Sequence, residues 1–346
     1  MKEGLHMQAN NPARVTLAES LAGRRILFVA TKEASYIRNT QEISLLKELS
    51  PDVSVCVSQS KSYLLRLLYV YSRLLFRSMK RYDVVFIGFA PQLLLPFLSF
   101  KFRKKTIIID FFISLYDTLV HDRKRFKADG LLSHVLKVWD CRTLKHADLI
   151  ISDTKAHGAY FCEQLGAEPK KILTLYLQAN AKIYQPNPAI TADDSVFTVL
   201  YFGSILPLQG VDIVLNSAKI LSHETAIRFV LIGPLNDEQV ATSKDINTLT
   251  TYHWLSQKAL SDEIQKSDLC LAGHFSADIQ KAQRTIPGKA YIYRAMNKPM
   301  ILGECKANRE LFSEDDMTFF VKQGDADALA GCIMAIYRQK QKAHMG

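Results

Sequence analysis

Two stretches of this chain each join an apolar run to a helical pattern through glycine, proline or basic residues. They are FTVLYFGSILPLQG at 197–210 and RTIPGKAYIYRAMNKPMILG at 284–303. A strand that passes into a helix in this way aims backbone N–H groups and the positive end of a helix dipole at a phosphate. The pair predicts one diphosphate held between two loops of a single nucleotide-binding domain.

Short apolar runs alternate with helical patterns along both halves of the chain, and this alternation predicts the fold class. Near-continuous apolar strands separated by helices are typical of parallel sheets covered on both faces. We therefore expect an α/β protein with two Rossmann-like, doubly wound parallel-sheet domains that face a cleft. The predicted strands are 24–30, 53–57, 83–88, 105–110, 148–153 and 172–177 in the first half, and 198–203, 227–233, 251–255, 269–273, 299–303 and 318–322 in the second.

The length of 346 residues fits two domains of ordinary size. Residues 24–180 form the predicted first domain and residues 197–346 the second, whose last helix is a candidate to cross back. The stretch 181–196 is rich in Pro, Asn and Asp and is the predicted linker. Residues 1–23 lack the apolar core of a secretory signal and are predicted to be a mobile leader.

Composition argues against several other classes of protein. Hydrophobic residues make up 48% and charged residues 23% of the chain, as in soluble globular proteins. No apolar run approaches the roughly 20 residues that cross a bilayer. The six cysteines are scattered without CxxC spacing, which argues against a zinc site or a disulfide framework and predicts a cytoplasmic protein. Asp193–Asp194 and Asp315–Asp316 lie in polar stretches, so we expect no metal site and no cofactor there.

Positive charge is concentrated in the first half of the chain. Residues 1–180 contain 27 Lys and Arg against 16 Asp and Glu, whereas residues 181–346 contain 17 against 18. No nucleic-acid-binding module is visible, so the excess favours an anionic membrane surface as partner. The stretch 62–83 predicts a basic amphipathic helix that lies on such a surface; the alternative is an ordinary helix packed on its sheet. Its candidate membrane-contacting residues are Arg66, Arg73, Arg77 and Arg81, and the cluster KFRKK at 101–105 adds to them.

Most of residues 197–337 resemble the donor domain of GT-B glycosyltransferases, especially the family 4 or group 1 type. The resemblance rests on five segments in the expected order: YFGSILPLQGVDIVLNSAKIL, IRFVLIG, HWLSQKALSDEIQKSDLCLAG, IPGKAYIYRAMNKPMILG and DADALAGCIMAIY. In the first half it rests on strand order, SLYDTLVHDRKRF at 114–126 and HADLIISDTKAH at 146–157. Such enzymes transfer a sugar from a nucleotide diphosphate donor to an acceptor held by the N-terminal domain.

The resemblance implies donor-binding roles for residues in and around the two loops. Gly203 would let the backbone approach the diphosphate, and Lys289 would neutralise the β-phosphate at a helix start. Each has a plain structural alternative, namely a glycine turn and a solvent-facing helix cap. The implied donor-binding residues are Gly203, Ser204, Gln209, Gly210, Leu255, His274, Phe275, Arg284, Pro287, Gly288 and Lys289.

The chain departs from the family pattern in the same two loops. The family often has Lys where this chain has Gln209, which removes one positive charge from the phosphate clamp. It usually has two Glu residues seven apart, the second on the ribose, whereas Ile292 stands there and no Glu lies between Asp278 and Glu304. Arg284 or Lys281 is a candidate to replace the first Glu by contacting phosphate. Trp254, close to the expected nucleobase segment, is interpreted as ordinary core.

Polar residues after the predicted strand at 105–110 are the candidates for catalysis. Asp110 ends that strand, and Asp117, His121 and Arg123 follow it. A carboxylate or His here could deprotonate an acceptor hydroxyl, or an Asp could simply pair with an Arg. The resemblance implies retention of anomeric configuration, in which the leaving diphosphate accepts the proton and neither a strong base nor a metal ion is needed.

These observations predict a metal-independent hexosyltransferase that uses a nucleotide-diphosphate sugar and a saccharide or lipid-linked acceptor in cell-surface polysaccharide assembly. We expect it in the cytoplasm or peripherally on the inner face of the membrane, with no nucleic-acid partner. The alternative is a non-catalytic GT-B-like binding or partner subunit, which Gln209 and the missing Glu pair favour. An epimerase of the same fold is a third interpretation, although its usual carboxylate and His set is not apparent.

Overall fold

A computed structural model describes residues 12–193 and 195–345 of the chain. The chain divides between Leu177 and Gln178 into two compact units, called here the first and the second unit. The stretch predicted as a linker is part of the second unit. Within it, the Asn187 N–H donates to Gln265 Oε1 at 3.1 Å, and the Ile183 carbonyl accepts from Ser261 Oγ at 3.1 Å.

The first unit forms a parallel sheet with strand order β2-β1-β3-β4-β5-β6. Apolar clusters cover the two faces of this sheet. The strand order reverses between β1 and β3, which is where open α/β sheets place their ligands. Its elements are α1 (Pro12–Leu21), β1 (Ile26–Val29), α2 (Ile37–Leu49), β2 (Val53–Cys56), α3 (Tyr63–Phe76), β3 (Val84–Ile87), α4 (Leu95–Leu98), β4 (Thr106–Asp110), a π-helix (Asp117–Asp122), α5 (Leu131–Lys145), β5 (Leu149–Ser152), α6 (Lys155–Leu165) and β6 (Ile172–Thr174).

The second unit forms a second parallel sheet, with order β12-β11-β10-β7-β8-β9. The strand order reverses between β7 and β10. The loop after β7 and the start of the helix at 288–295 lie in this region of the unit. Its elements are β7 (Phe197–Phe202), α7 (Val211–Ile220), β8 (Ile227–Ile232), α8 (Asp237–Lys244), β9 (Leu249–Tyr252), α9 (Gln257–Lys266), β10 (Leu269–Gly273), α10 (Gly288–Ala295), β11 (Met300–Gly303), α11 (Lys306–Arg309), β12 (Thr318–Val321) and α12 (Ala326–Met345).

The prediction of two doubly wound α/β sheets is confirmed, and each predicted strand has a counterpart. The exception in position is β9, which ends at Tyr252 rather than continuing to Leu255. Trp254 therefore lies in the loop after the strand with 75% of its surface exposed. Its interpretation as a core residue is wrong.

Helix α1 corrects part of the predicted mobile leader. Ala13, Leu17 and Leu21 are buried at a spacing of four residues, which is the pattern of one helical face, and Leu17 and Leu21 join the core under the first sheet. Arg14 pairs with Glu48 of α2. The prediction is wrong for residues 12–21, and its residues 1–11 lie outside the described part of the chain.

The last helix, α12, packs within the second unit. Leu329, Ala330 and Ile333 are buried in the core of that unit. Lys340 Nζ donates to Asp268 Oδ1 at 2.6 Å, just before β10. Helix α12 is thus an integral part of the second unit's core.

Candidate functional site

The loop after β7 and the segment after β10 meet at the switch point of the second sheet. Gly203 has φ +143° and Gly210 has φ +64°, both in the region that favours glycine. A Cβ on Gly210 would lie 2.6 Å from the backbone of Phe275 and Ser276, so the loop needs glycine to pack this closely. The Phe275 N–H donates to the Gln209 carbonyl at 3.1 Å. The two segments are therefore fixed to each other by backbone contact.

Lys289 closes the same site from the first turn of α10. Its Nζ donates to Gln209 Oε1 at 2.6 Å and lies 3.9 Å from the centroid of the Tyr201 ring. Only 5% of the residue is exposed, and burial lowers the pKa of the amine well below its usual value. Pro287 precedes the helix with φ −63°, a value suited to a helix start. The structure thus brings Gly203, Gln209, Gly210 and Lys289 together.

The other predicted donor-binding residues differ in how far they are exposed to solvent. Ser204 and Gly288 are exposed at the two loops, whereas Arg284 is half-buried directly after a short 3₁₀ turn. Leu255 is half-buried between β9 and α9. His274 is buried, and its Nδ1 lies 3.5 Å from Thr285 Oγ1.

Phe275, one of the residues predicted to bind the donor, reaches the loop after β7 through its backbone. Its side chain is fully buried in the core of the second unit. Only its backbone reaches the loop, through the hydrogen bond to Gln209. Phe275 therefore supports the loop rather than presenting an aromatic ring to a ligand.

The structure also corrects the catalytic role predicted for Asp110. Both of its carboxylate oxygens accept hydrogen bonds from Arg38, at 2.9 Å each, and both residues are buried. Arg38 donates further to the Leu175 carbonyl at 2.7 Å. A carboxylate held on both oxygens in this way joins α2 to β4 and is a structural group rather than an available base.

Asp117 and His121 lie in the π-helix that follows β4. Asp117 is buried, whereas His121 is exposed and packs its ring edge-on against Tyr116 at 5.0 Å. Arg123 follows the π-helix and is exposed. His121 is therefore the predicted catalytic residue with the freest access to solvent.

Asp140 of α5 holds the start of this segment, and the sequence analysis did not identify it. Its carboxylate accepts from Ser114 Oγ at 2.7 Å, from the Tyr116 N–H at 2.9 Å and from the Leu115 N–H at 3.2 Å. Burial raises the pKa of Asp140, while these hydrogen bonds oppose the shift. An Asp within a helix gives no local signal of such a role.

A half-buried aromatic cluster at the switch point of the first sheet was also missed. Tyr36 lies 5.4 Å from Phe89 and 6.3 Å from Phe112, measured between ring centroids. Lys32 Nζ lies 5.8 Å from the centroid of Tyr36 and 5.9 Å from that of Phe89. Phe89 and Phe112 each come just after a predicted strand, which is the signal that could have found them.

Helix α3 has several exposed apolar side chains. Of the basic side chains in and near it that were predicted to contact a membrane, only some are exposed. Arg66 is buried; it pairs with Glu33 at 3.2 Å and donates to the Ser60 carbonyl at 2.8 Å, so its predicted membrane role is wrong. Arg77 is half-buried near the Tyr82 ring, whereas Arg73 and Arg81 are exposed. The exposed apolar residues of α3 are Tyr63, Leu64, Leu65, Leu68, Tyr69, Leu75 and Phe76.

Residues 12–193 and 195–345 contain no cluster of three or more His, Cys, Asp or Glu side chains able to hold a metal ion. Over the same ranges, no helix has both the length and the apolar character needed to cross a bilayer.

Comparison with known proteins identifies similar folds. The chain is similar to Anabaena HepE in complex with UDP and glucose (TM-score 0.61, 15% identity, 92% of this chain and 91% of that one). It is also similar to sucrose-phosphate synthase from Thermosynechococcus elongatus (TM-score 0.68, 12% identity, 91% and 90%). A third similar structure is the lipopolysaccharide outer core galactosyltransferase WaaB in its apo form (TM-score 0.56, 14% identity, 91% of each chain).

The sequence comparisons bear on the second unit. No curated protein sequence matches the chain. Residues 196–339 match the model of the family Glycosyl transferases group 1, and these residues include both loops of the Lys289 site. The resemblance to GT-B glycosyltransferases of the group 1 type is thereby confirmed, by the family match over residues 196–339 and by the fold over the length of the chain.

Proposed function

We propose that the protein is a glycosyltransferase that moves a sugar from a nucleoside diphosphate sugar to an acceptor held by the first unit. The observation that carries this proposal is the contact of 2.6 Å between Lys289 and Gln209. It brings an amine, a glycine loop and the N-terminus of α10 to one switch point, and these groups together suit a diphosphate. The UDP and glucose in the similar HepE structure support the same class of donor.

For the reaction, we propose retention of anomeric configuration without a metal ion. The bond between the sugar and the diphosphate breaks, the acceptor oxygen bonds to the sugar carbon, and the leaving diphosphate takes up the hydroxyl proton. Lys289, Arg284 and the first N–H groups of α10 would stabilise the charge on the diphosphate. Turnover that persists in excess EDTA and yields a product of unchanged anomeric configuration would agree with this mechanism.

For the acceptor, we propose a saccharide ring that packs on the aromatic cluster of Tyr36, Phe89 and Phe112. An aromatic face offers apolar contact to the C–H face of a sugar, and Lys32 beside it offers a donor to hydroxyl or acidic groups. His121, which is exposed in the π-helix after β4, is the candidate to assist the acceptor hydroxyl. The similar structure of WaaB, a lipopolysaccharide outer core galactosyltransferase, supports an acceptor in cell-surface polysaccharide assembly.

The first experiment is a thermal-shift panel of nucleoside diphosphates and their sugars, followed by a transfer assay with the sugar that binds. A ligand at 100 times its dissociation constant stabilises a protein by about 2.7 kcal/mol. We expect one nucleotide class to raise the melting temperature and its labelled sugar to enter a saccharide or lipid-linked product. If no nucleotide in the panel raises the melting temperature, the proposal is wrong.

The second candidate is a binding subunit that holds the nucleotide without turnover. It is favoured by Ile292 at the ribose position and by the absence of Glu between Asp278 and Glu304. Nucleotide binding without transfer to any of a broad set of acceptors would favour this candidate over the enzyme.

We also propose that the first unit associates peripherally with an anionic membrane. Phe76 of α3 is 91% exposed. The carbonyl of its neighbour Leu75 accepts a hydrogen bond from Lys101 Nζ at 2.8 Å. This bond links α3 to the segment before β4, where Phe97 and Phe100 are also exposed. Apolar side chains bordered by basic ones fit a bilayer interface that carries negative charge. The exposed basic residues of α3 and the segments near it are Arg73, Lys80, Arg81, Arg103 and Lys104.

Co-sedimentation with vesicles tests this membrane proposal. We expect binding to vesicles of phosphatidylcholine mixed with phosphatidylglycerol, and little binding to phosphatidylcholine alone. The double variant Arg73→Glu and Arg81→Glu should lose binding, whereas Lys170→Glu, an exposed change beside β6, should retain it. Equal binding by the double variant and the wild type would contradict the proposal.

A further inference from the structure

The amine of Lys289 is buried among neutral groups. Its Nζ contacts the amide oxygen of Gln209 and the face of the Tyr201 ring. A Cβ on Gly203 would lie 3.5 Å from its Cε and 3.7 Å from its Nζ, so the glycine loop runs directly alongside the amine. Residues 203–210 contain no Lys or Arg, so the loop after β7 brings no cation of its own.

Two arginine side chains are also buried in the described part of the chain, and both pair with carboxylates. Arg66 pairs with Glu33 at 3.2 Å. Arg38 is 3% exposed and lies against two carboxylates, those of Asp110 and Glu42. In the part of the chain that the structure describes, no carboxylate pairs with Lys289. A buried amine without a counter-ion is costly to keep charged, since neither an amide oxygen nor an aromatic face replaces the lost water fully.

The titratable groups on the helix of Lys289 and on strands β7 and β10 beside it supply no negative charge near neutral pH. Tyr201 of β7 and Tyr293 of α10 itself are phenols whose pKa values burial raises. Cys270 of β10 is a thiol whose pKa burial raises to about 12. His274, at the end of β10, offers an imidazole, which carries no negative charge near neutral pH. Burial therefore lowers the pKa of an amine that has no anionic partner among the described residues.

We propose that Lys289 is the cationic contact of the donor diphosphate and that it gains its proton only when the diphosphate enters, so that donor binding consumes a proton from solvent. The inference rests on the proposed function of the same site. A diphosphate would supply the counter-ion that the empty site lacks. Gln209 then acts as a positioning residue, because its amide oxygen accepts one N–H of the amine and leaves the others for phosphate oxygens.

Calorimetric titration with UDP, and with ADP if UDP does not bind, tests the proton uptake. The binding enthalpy is measured at about pH 8 in several buffers of different ionisation enthalpy, since a phosphate whose second pKa is about 6 is then already ionised. The slope of enthalpy against ionisation enthalpy counts protons, and we expect uptake of about one per site. The affinity should accordingly weaken up to about tenfold per unit rise in pH where Lys289 is neutral in the empty protein.

Two variants separate Lys289 from other titrating groups. Lys289→Met should bind the nucleotide at least tenfold more weakly and show no proton uptake. Lys289→Arg keeps a permanent charge, so it should lose the proton uptake even if it retains affinity. Near-UV circular dichroism checks that each variant is folded. If only one variant folds, it is still sufficient for comparing proton uptake with that of the wild type.

The outcomes distinguish this inference from the function on which it rests. Nucleotide binding without proton uptake by the wild type, or with the same uptake by a folded Lys289 variant, overturns the role of Lys289 and leaves the donor site standing. If neither UDP nor ADP binds, and no nucleotide in the thermal-shift panel raises the melting temperature, the proposed function itself is overturned.

Discussion

Two buried carboxylates, Glu42 and Asp110, share one guanidinium, that of Arg38. Asp110 takes two hydrogen bonds from it, whereas Glu42 Oε1 lies 3.5 Å from Arg38 Nε. Burial raises the pKa of Glu42 well above its usual range, and the charge of Asp110 raises it further. Burial and the neighbouring Asp110 thus favour the protonated form of Glu42.

The variant Glu42→Gln tests this assignment through the pH dependence of stability. The pKa of Glu42 is higher in the folded than in the unfolded protein, so its contribution to stability is complete below the unfolded value of about 4.3 and is lost as pH rises. The variant cannot ionise. We therefore expect its unfolding free energy, relative to wild type, to increase as pH rises above about 4.3 in urea titrations. Parallel pH profiles for the two proteins would show that Glu42 does not titrate in this range.

Gly210 tests the close packing of the loop after β7. A Cβ there meets the Phe275–Ser276 backbone, whereas Gly166 has a similar φ of +71° and nothing within 4 Å of its added Cβ. Both alanine variants should lose about 1 kcal/mol from the left-handed backbone. Gly210→Ala should lose more and should also weaken nucleoside diphosphate binding. Equal stability and equal binding in the two variants would mean that the loop moves aside at no cost.

At the scale of elements, burial explains which segments the sequence could predict. Strands such as β1, β3 and β10 are fully buried along their length, so each appears as an unbroken apolar run. Strand β9, LTTY, is mostly exposed and lacks that run, so its predicted position slipped toward Trp254. Helix α1 was missed because three small or aliphatic residues form its whole buried face.

The candidate site was predictable in part for a related reason. The glycine loop and the start of α10 can be predicted from short stretches of sequence, because each depends only on an apolar strand and the residues close to it. The contact between Gln209 and Lys289 joins residues 80 apart, and that between Arg38 and Asp110 joins residues 72 apart. Pairings of this kind depend on how the sheet is assembled, and no spacing along the chain encodes them.

The segment from Ser114 to Asp122 depends on α5 for its position. Asp140 supports this segment with the hydrogen bonds described above. Asp140→Ala should leave Ser114 and two N–H groups unsatisfied, costing roughly 1–3 kcal/mol of stability for each one that stays buried. We expect a raised KM for the acceptor and an unchanged Kd for the nucleotide. The exposed change Asp129→Ala is the control, and a loss of nucleotide affinity in Asp140→Ala would contradict a role confined to the first unit.

At the scale of the whole molecule, each unit has its own sheet and its own apolar core. All residues of the Lys289 site lie in the second unit. Residues 178–346 expressed alone should therefore fold cooperatively and bind the same nucleoside diphosphate as the full chain, as measured by thermal denaturation with and without ligand. Failure of this fragment to bind, while folded, would show that the first unit contributes to the donor site.

Residues 178–325 serve as the matched control for this fragment. They lack α12, which fills the core of the second unit with Leu329, Ala330 and Ile333. Removing a helix that covers one face of the sheet exposes a large apolar surface. We expect this shorter fragment to aggregate or to melt without a cooperative transition.

The confinement of the phosphate-binding loops to one sheet also bears on how such a chain can change over evolution. Under the proposed function, mutations that reshape the surface of the first sheet would alter what is glycosylated without disturbing the groups that contact the diphosphate. New acceptor specificities would then arise by drift in one half of the gene, or by recombination near the codons for Leu177 and Gln178. The proposed donor site would be inherited intact through either route.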